Sequence, residues 1–257
     1  MNRIRSWITT IVLIFGMLPW FAYGQATQPR EPPAARDSIA VRLPLSHELD
    51  GIDGYLLLTQ DARLTLKLAE RLWGIGDVDI DDDPKLKTFK DEPLRNAMIQ
   101  IVDHAGQVVD SKDLEAPLAR LQSAQLHGNS SLTYLLTVDY SAGFGSYSGP
   151  ITNLVEIKSG RFQWVEAKDT QTGKSAPIRL MTSLKTTWKF VDAADGKGKQ
   201  ILLAQCRPDW SSAKADPDFR ITYARFYFDG TKWLLTERTV KGFSEFDEGF
   251  PSRNHFP

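Results

Sequence analysis

The sequence has almost no capacity for covalent cross-linking, because it contains one cysteine, Cys206, among 257 residues. A disulfide needs two thiols, so no bond within the chain supplements its hydrophobic core. Cys206 follows a short apolar run, and we expect it to be a buried small hydrophobe. An excess of charge is also missing, since 31 Lys and Arg face 32 Asp and Glu. A near-neutral chain has no general field to hold a polyanion, so nucleic acid is not expected among its partners.

Recognisable catalytic and metal-binding spacings are absent as well. Residues 172–175 resemble the end of a phosphate-binding loop, but position 168, where that motif requires glycine, is Lys. Residues 143–149 contain three glycines without the dinucleotide spacing, and neither Ser146 nor Ser148 has the flanking glycines of a hydrolase elbow. The histidines show no zinc-binding spacing, and their neighbours predict a surface position for all four: His47, His104, His127 and His255.

Residues 1–24 have the pattern of a cleaved signal peptide. Arg3 and Arg5 precede an apolar run over 7–18, and Ala22 and Gly24 place small residues where a signal peptidase reads. A run of about 12 residues makes a helix of roughly 18 Å, which is short for a hydrocarbon layer of about 30 Å. We therefore expect no transmembrane anchor after cleavage, and a periplasmic or secreted protein. The low cysteine content favours a bacterial source.

The mature chain is predicted to have a linker and one domain. Residues 25–37 contain three prolines and almost no large apolar side chains, so they read as a disordered linker. No second linker divides residues 38–257, which are predicted to form a single β-rich domain.

Turn signals flanked by β-branched and aromatic residues predict antiparallel hairpins in this domain. They lie at 104–106, 159–160, 195–198 and 229–230, and residues 132–138 add a further strand. The fold class is therefore mainly β, with hairpins forming a sandwich or a strongly twisted meander and one or two short helices at most. Gly160, Gly196 and Gly230 are almost evenly spaced, so a small β-propeller-like arrangement is the alternative. Residues 61–73 fit a helix or a strand.

The 143–149 loop is the first candidate for ligand binding. Its glycines, serines and aromatic residues provide adaptable hydrogen-bonding groups and flat surfaces, so Phe144, Ser146 and Tyr147 are candidate ligand contacts. Trp210 joins them, because it follows a Pro-Asp pair in a polar loop and is expected to be exposed. In the alternative interpretation, Phe144 and Tyr147 pack into the core.

An acidic run over residues 77–83 is the candidate metal site. Its carboxylates alternate along the chain as they do in calcium loops, although the glycine and the terminal acid of an EF-hand are missing. The candidate calcium ligands are Asp77, Asp79, Asp81 and Asp83. The alternative is a solvated loop, and no other cofactor is expected.

Three classes of function follow from these observations. The first is a non-enzymatic exported binding or interaction module, with an envelope protein or a glycan as its partner. The second is a hydrolase that acts on a saccharide or another cell-envelope polymer through dispersed carboxylates, and the C-terminal acids Glu245, Asp247 and Glu248 beside phenylalanines are compatible with it. The third is a structural or inhibitory partner of an envelope protein, which would expose an apolar patch. The sequence favours the first.

Overall fold

The computed structural model describes residues 38–62, 94–127, 132–139, 146–194, 196, 198–211, 217–247 and 249–257. The predicted signal peptide, the predicted linker, residues 63–73 of the ambiguous segment and the acidic run lie outside these ranges. All the described residues belong to one compact unit of the chain.

The first sheet has four antiparallel strands in chain order. They are β1 (Ser38–Leu45), β2 (Gly54–Asp61), β3 (Met98–Asp103) and β4 (Val108–Asp113). A one-turn helix, α1 (His47–Asp50), joins β1 to β2; the Ser46 hydroxyl accepts a hydrogen bond from the Leu49 amide, and Gly51 ends the helix with a left-handed φ of 70°. At the predicted turn between β3 and β4, the Asp103 carboxylate accepts hydrogen bonds from two backbone amides.

The second sheet has five strands and is centred on β7. It consists of β5 (Ala119–Ala124), β6 (Thr133–Val138), β7 (Ile151–Lys158), β8 (Arg161–Trp164) and β11 (Arg179–Met181). One edge of β7 pairs with β6, while β11 and β8 share its other edge, opposite residues 151–153 and 155–158 respectively.

The third sheet has six strands in the order β10-β9-β15-β14-β13-β12. They are β9 (Glu166–Asp169), β10 (Ser175–Pro177), β12 (Thr186–Asp192), β13 (Lys199–Asp209), β14 (Asp218–Phe228) and β15 (Trp233–Lys241). All pairs are antiparallel except β15 with β9. The β14–β15 hairpin turns at the predicted position, where the Asp229 carboxylate accepts hydrogen bonds from the backbone amides of Thr231 and Lys232.

The three sheets form layers, with the second sheet in the middle. Alternate side chains of β6 show this directly: Tyr134 and Leu136 belong to the core shared with the first sheet, whereas Leu135 belongs to the core shared with the third sheet. In β7, Val155 and Leu154 divide in the same way. A strand that is buried on both faces reads as a continuous apolar run, which explains the composition of β6.

The outer face of the third sheet is covered by the C-terminal segment, residues 242–257. Phe256 is buried there against Cys206, Ile221 and Tyr223, and Phe250 packs on the same cluster. Cys206 is fully buried, as predicted. The described residues of this segment therefore supply an additional apolar layer without a strand.

The predicted fold class is confirmed: the chain is mainly β, its sheets are antiparallel apart from one strand pair, and no closed barrel is present among the described residues. All four predicted turns connect paired strands. The helical content of the described residues is limited to α1 and a 3-10 helix at Arg253–His255. No described helix has the length and apolar character needed to cross a membrane.

Candidate functional site

A cavity of about 330 Å³, open to solvent, lies at the surface where the first and second sheets meet. It lies at the lower end of the range for small-molecule sites, which begins near 300 Å³. Its lining residues come from the end of β4, the turn that follows it, and four strands beyond: Lys112, Asp113, Leu114, Glu115, Asn153, Trp164, Pro177 and Arg179.

The register of the second sheet explains why a cavity forms at this point. Leu136 of β6, Asn153 of β7 and Arg179 of β11 are successive partners in one row across the sheet. Leu136 belongs to the apolar core, but the next two residues of the row, Asn153 and Arg179, are polar. Asn153 is only 8 % exposed, although it is an amide. Apolar packing between the two sheets therefore ends at Leu136, and polar groups line the space beyond it.

Trp164 forms an aromatic wall of this cavity. It is half-buried, packs against the first core, and pairs in register with Val155. The ammonium group of Lys112 lies 4.5 Å from the centre of its ring. The strands that carry these two residues are joined directly, because the Phe162 amide donates to an Asp110 carboxylate oxygen at 3.0 Å. Trp164 and Lys112 are thus held close by a contact between the edges of two sheets.

An irregularity in the backbone carries Glu115 to the rim. The Leu114 amide donates to the Ala97 carbonyl, and the Ala97 amide donates to the Ala116 carbonyl, so Glu115 is the extra residue between the two bonds. Its φ of 55° is in the left-handed region, which is uncommon for a residue with a Cβ. The Asp113 carboxylate accepts a hydrogen bond from the Glu115 amide at 2.7 Å and supports this conformation. This local irregularity places Glu115 among the residues that line the cavity.

The charges of the lining are divided between two walls. Asp113 pairs with the exposed Met98, so its carboxylate is on the outer face of the first sheet, away from the cavity. Glu115 is therefore the acid of the first-sheet side, and Arg179 is the cation of the second-sheet side. Lys112 is also attached to the first-sheet side, and its ammonium lies over the tryptophan ring.

The residues that the sequence singled out lie elsewhere. Phe144 and the four candidate calcium ligands, Asp77, Asp79, Asp81 and Asp83, are outside the described residues. Ser146 is half-buried and Tyr147 is exposed in a turn, while Trp210 is 68 % exposed at the end of β13. None of these three lines the Trp164 cavity, and their roles as ligand contacts stay predictions.

One glycine of the 143–149 loop has a structural explanation. A Cβ on Gly149 would lie 2.0 Å from the Thr182 carbonyl oxygen, which is closer than real Cβ contacts allow. The neighbouring Ser146 carbonyl accepts a hydrogen bond from the Lys185 amide at 3.2 Å. Close packing against the turn at 182–185 therefore accounts for part of the glycine content of this loop.

Lys185 is the most deeply buried cation near that loop. Its side chain is 4 % exposed, and its ammonium lies 2.5 Å from a Glu245 carboxylate oxygen and 3.6 Å from the centre of the Phe243 ring. Glu245 thus forms an ion pair that attaches the C-terminal segment to the third sheet. This contact gives one of the C-terminal acids a structural role.

The surface position predicted for His127 is wrong. His127 is 8 % exposed because its ring stacks on Phe228 at 4.1 Å and lies beside Trp233. Its backbone forms an isolated bridge with Gly198, which brings the residue between the second and third sheets. A prediction from the adjacent Gly128 and Asn129 could not include this non-local pairing. The other three histidines are exposed, as predicted.

Within the ranges that the structure describes, no three side chains of His, Cys, Asp or Glu come together as metal ligands. The chain matches no protein-family model, no curated protein and no solved structure. The geometry of the cavity is therefore the main evidence on function.

Sequence reasoning missed the residues of this cavity, although one signal was present. Asn153 interrupts the apolar residues of Ile151–Lys158, and a polar side chain in a buried strand needs a partner. Trp164 lies in a strand, where core packing is the usual role of a tryptophan. The structure shows that it contacts the core and also lines the cavity.

Proposed function

We propose that the chain is a binding protein and that a small polar ligand occupies the Trp164 cavity. The observation that carries this proposal is the juxtaposition of an aromatic ring and a nearly buried amide, Asn153, on one cavity of ligand size. Ligand sites typically combine apolar surface with a few polar groups that fix orientation. The predicted signal peptide supports a protein that acts after export.

The arrangement of the carboxylates favours binding over hydrolysis. A glycosidase holds its two acids on opposite sides of the scissile bond, with the carboxyl groups about 5–9.5 Å apart. Asp113 and Glu115 are two residues apart on the first-sheet side, and the Asp113 carboxylate, on the outer face of that sheet, is hydrogen-bonded to the Glu115 amide. These two carboxylates therefore do not face each other across a substrate in the cavity.

The proposal is tested by thermal shift with the purified mature chain. The compounds are neutral saccharides, acidic saccharides, amino acids and short peptides. A ligand at 100 times its Kd stabilises the folded state by about 2.7 kcal/mol. At about 2–4 °C per kcal/mol for a domain of this size, the melting temperature should rise by about 5–10 °C.

Variants locate the site. Trp164→Ala should abolish the shift, and Trp164→Phe should retain part of it because a ring remains against the core. Trp210→Ala is the matched control, since it removes an exposed tryptophan outside the cavity. Loss of the shift in Trp210→Ala with retention in Trp164→Ala would instead support the site predicted from sequence. If no compound shifts the wild-type chain, the proposal of a small-molecule binding protein is wrong.

A further inference from the structure

We infer that the ligand is a zwitterion, a small molecule with an ammonium group and a carboxylate, such as an amino acid or a dipeptide. The inference rests on the binding function proposed above. It follows from which charged groups line each wall of the Trp164 cavity, and from the position of Lys112.

The ammonium end of the ligand is assigned to the face of Trp164. Aromatic faces attract cations, and tryptophan does so most strongly. Lys112 already places an ammonium 4.5 Å from the ring centre, and Glu115 lines the same cavity from the first-sheet side. An aromatic face with a carboxylate in the same cavity is suited to an amine. Lys112 is exposed on the surface, so its side chain can leave this position without leaving a buried charge.

The carboxylate end is assigned to Arg179 and Asn153. These residues are direct partners across β11 and β7, so their side chains lie on the same face of the second sheet. A guanidinium group binds a carboxylate through two parallel hydrogen bonds, and the amide of Asn153 adds a donor beside it. The second-sheet wall has no acid among its lining residues, whereas Glu115 lies on the first-sheet wall.

The charge balance of the cavity fits the same class of ligand. When the Lys112 ammonium leaves the ring, Arg179 and Glu115 remain as one cation and one anion, so a ligand without net charge leaves no excess charge in the site. A zwitterion pairs with both of these groups, whereas a ligand with only one charge pairs with one of them. Lys112 acts as an internal competitor for the ammonium position.

The test uses isothermal titration calorimetry on the mature chain with three dipeptides, alanyl-alanine, lysyl-alanine and alanyl-phenylalanine. The tightest of them is then titrated as its N-acetylated and C-amidated forms, with maltose and glucuronate as comparisons. Both blocked forms should bind at least about tenfold more weakly, because each loses a charge-assisted contact. Arg179→Gln should weaken binding of the free dipeptide to a similar extent. In this variant the free and amidated forms should therefore bind with similar affinity.

Variants at Lys112 give the most discriminating comparison in the experiment. Lys112→Ala should bind the dipeptide about two- to fivefold more tightly, since an exposed cation–π contact no longer competes. Lys112→Arg keeps a cation over the ring and should bind as the wild type does. Lys241→Ala is the control for loss of one exposed positive charge outside the cavity.

The outcomes separate this inference from the proposed function. If maltose or glucuronate binds in a Trp164-dependent manner and no dipeptide does, the zwitterion is wrong and the binding function stands. The zwitterion is also wrong, and the binding function again stands, if free and blocked dipeptides bind with equal affinity. The same conclusion follows if Lys112→Ala binds the dipeptide more weakly than the wild type does. If none of the probes binds and the broader thermal screen is also negative, both fail.

Discussion

Replacing Tyr134 by Phe tests the contact that connects the middle sheet to the helix of the first. Tyr134 is fully buried in β6, and its hydroxyl donates to an Asp50 carboxylate oxygen at 2.9 Å. The second oxygen of Asp50 accepts a hydrogen bond from the Ser46 amide at 2.9 Å. Phe has the shape of Tyr without the hydroxyl, so the substitution removes the hydrogen bond and leaves the packing in place.

The expected cost follows from the acceptor. A hydrogen bond to a charged group contributes about 1.5–3 kcal/mol, and here its loss also leaves a buried carboxylate oxygen without its partner. The melting temperature at pH 8 should fall by about 3–12 °C. The measurement is urea unfolding followed by tryptophan fluorescence, with a thermal melt as a second readout.

The pH dependence provides a more specific signature. Burial, and then the charge of Asp50 and the hydrogen bond to it, raise the pKa of Tyr134. The folded state therefore holds the phenol protonated, while in the unfolded chain it titrates near pH 10. Its contribution to stability is fully present below about pH 10 and is lost as the pH rises towards the raised pKa. The difference in free energy of unfolding between wild type and Tyr134→Phe should decrease by about 1.4 kcal/mol between pH 8 and pH 11.

Two results would refute this reasoning. One is a difference in free energy of unfolding that stays constant from pH 8 to pH 11, and the other is a variant as stable as the wild type at pH 8. Tyr55→Phe is the control, because Tyr55 is only half-buried, and it should change stability by no more than about 0.5 kcal/mol.

Three further predictions concern the third sheet and the loop beside it. Glu245→Gln should destabilise the chain by about 1–3 kcal/mol in urea unfolding, because the buried Lys185 ammonium loses its carboxylate, and an unchanged midpoint would contradict this. Gly149→Ala should cost about 1–3 kcal/mol in the same assay, since its Cβ would meet the Thr182 carbonyl oxygen; a neutral effect would show that the two loops separate easily. Cys206 should react with a thiol reagent only as the chain unfolds, and immediate labelling of the native protein would show that the C-terminal segment does not cover it.

The hairpins were predictable because their determinants are local. The turn at Asp229–Gly230 contains a carboxylate that hydrogen-bonds the backbone two and three residues ahead, and the flanking strands carry aromatic and β-branched residues. The layering was not predictable in the same way. Burial of both faces of Thr133–Val138 depends on strands that are distant in sequence, and an apolar run of this length is equally compatible with other buried elements.

The cavity escaped prediction for a related reason. Its polar groups come from positions 112 to 179, and only the register of β7 with β11 brings Asn153 beside Arg179. Glu115 lines the cavity from an irregular, left-handed position that no turn motif in the sequence indicates. The composition of residues 143–149 instead predicted a ligand site in that loop, where at least one glycine is required for close packing.

The position of the C-terminal segment has a consequence for a chain that ends early. A chain truncated after residue 241 keeps β12 to β15 but leaves their apolar outer face, with Leu202, Ile221 and Tyr223, without its cover. Exposed apolar surfaces favour association with other chains. The truncated product should therefore aggregate, even though it contains every strand of the described fold.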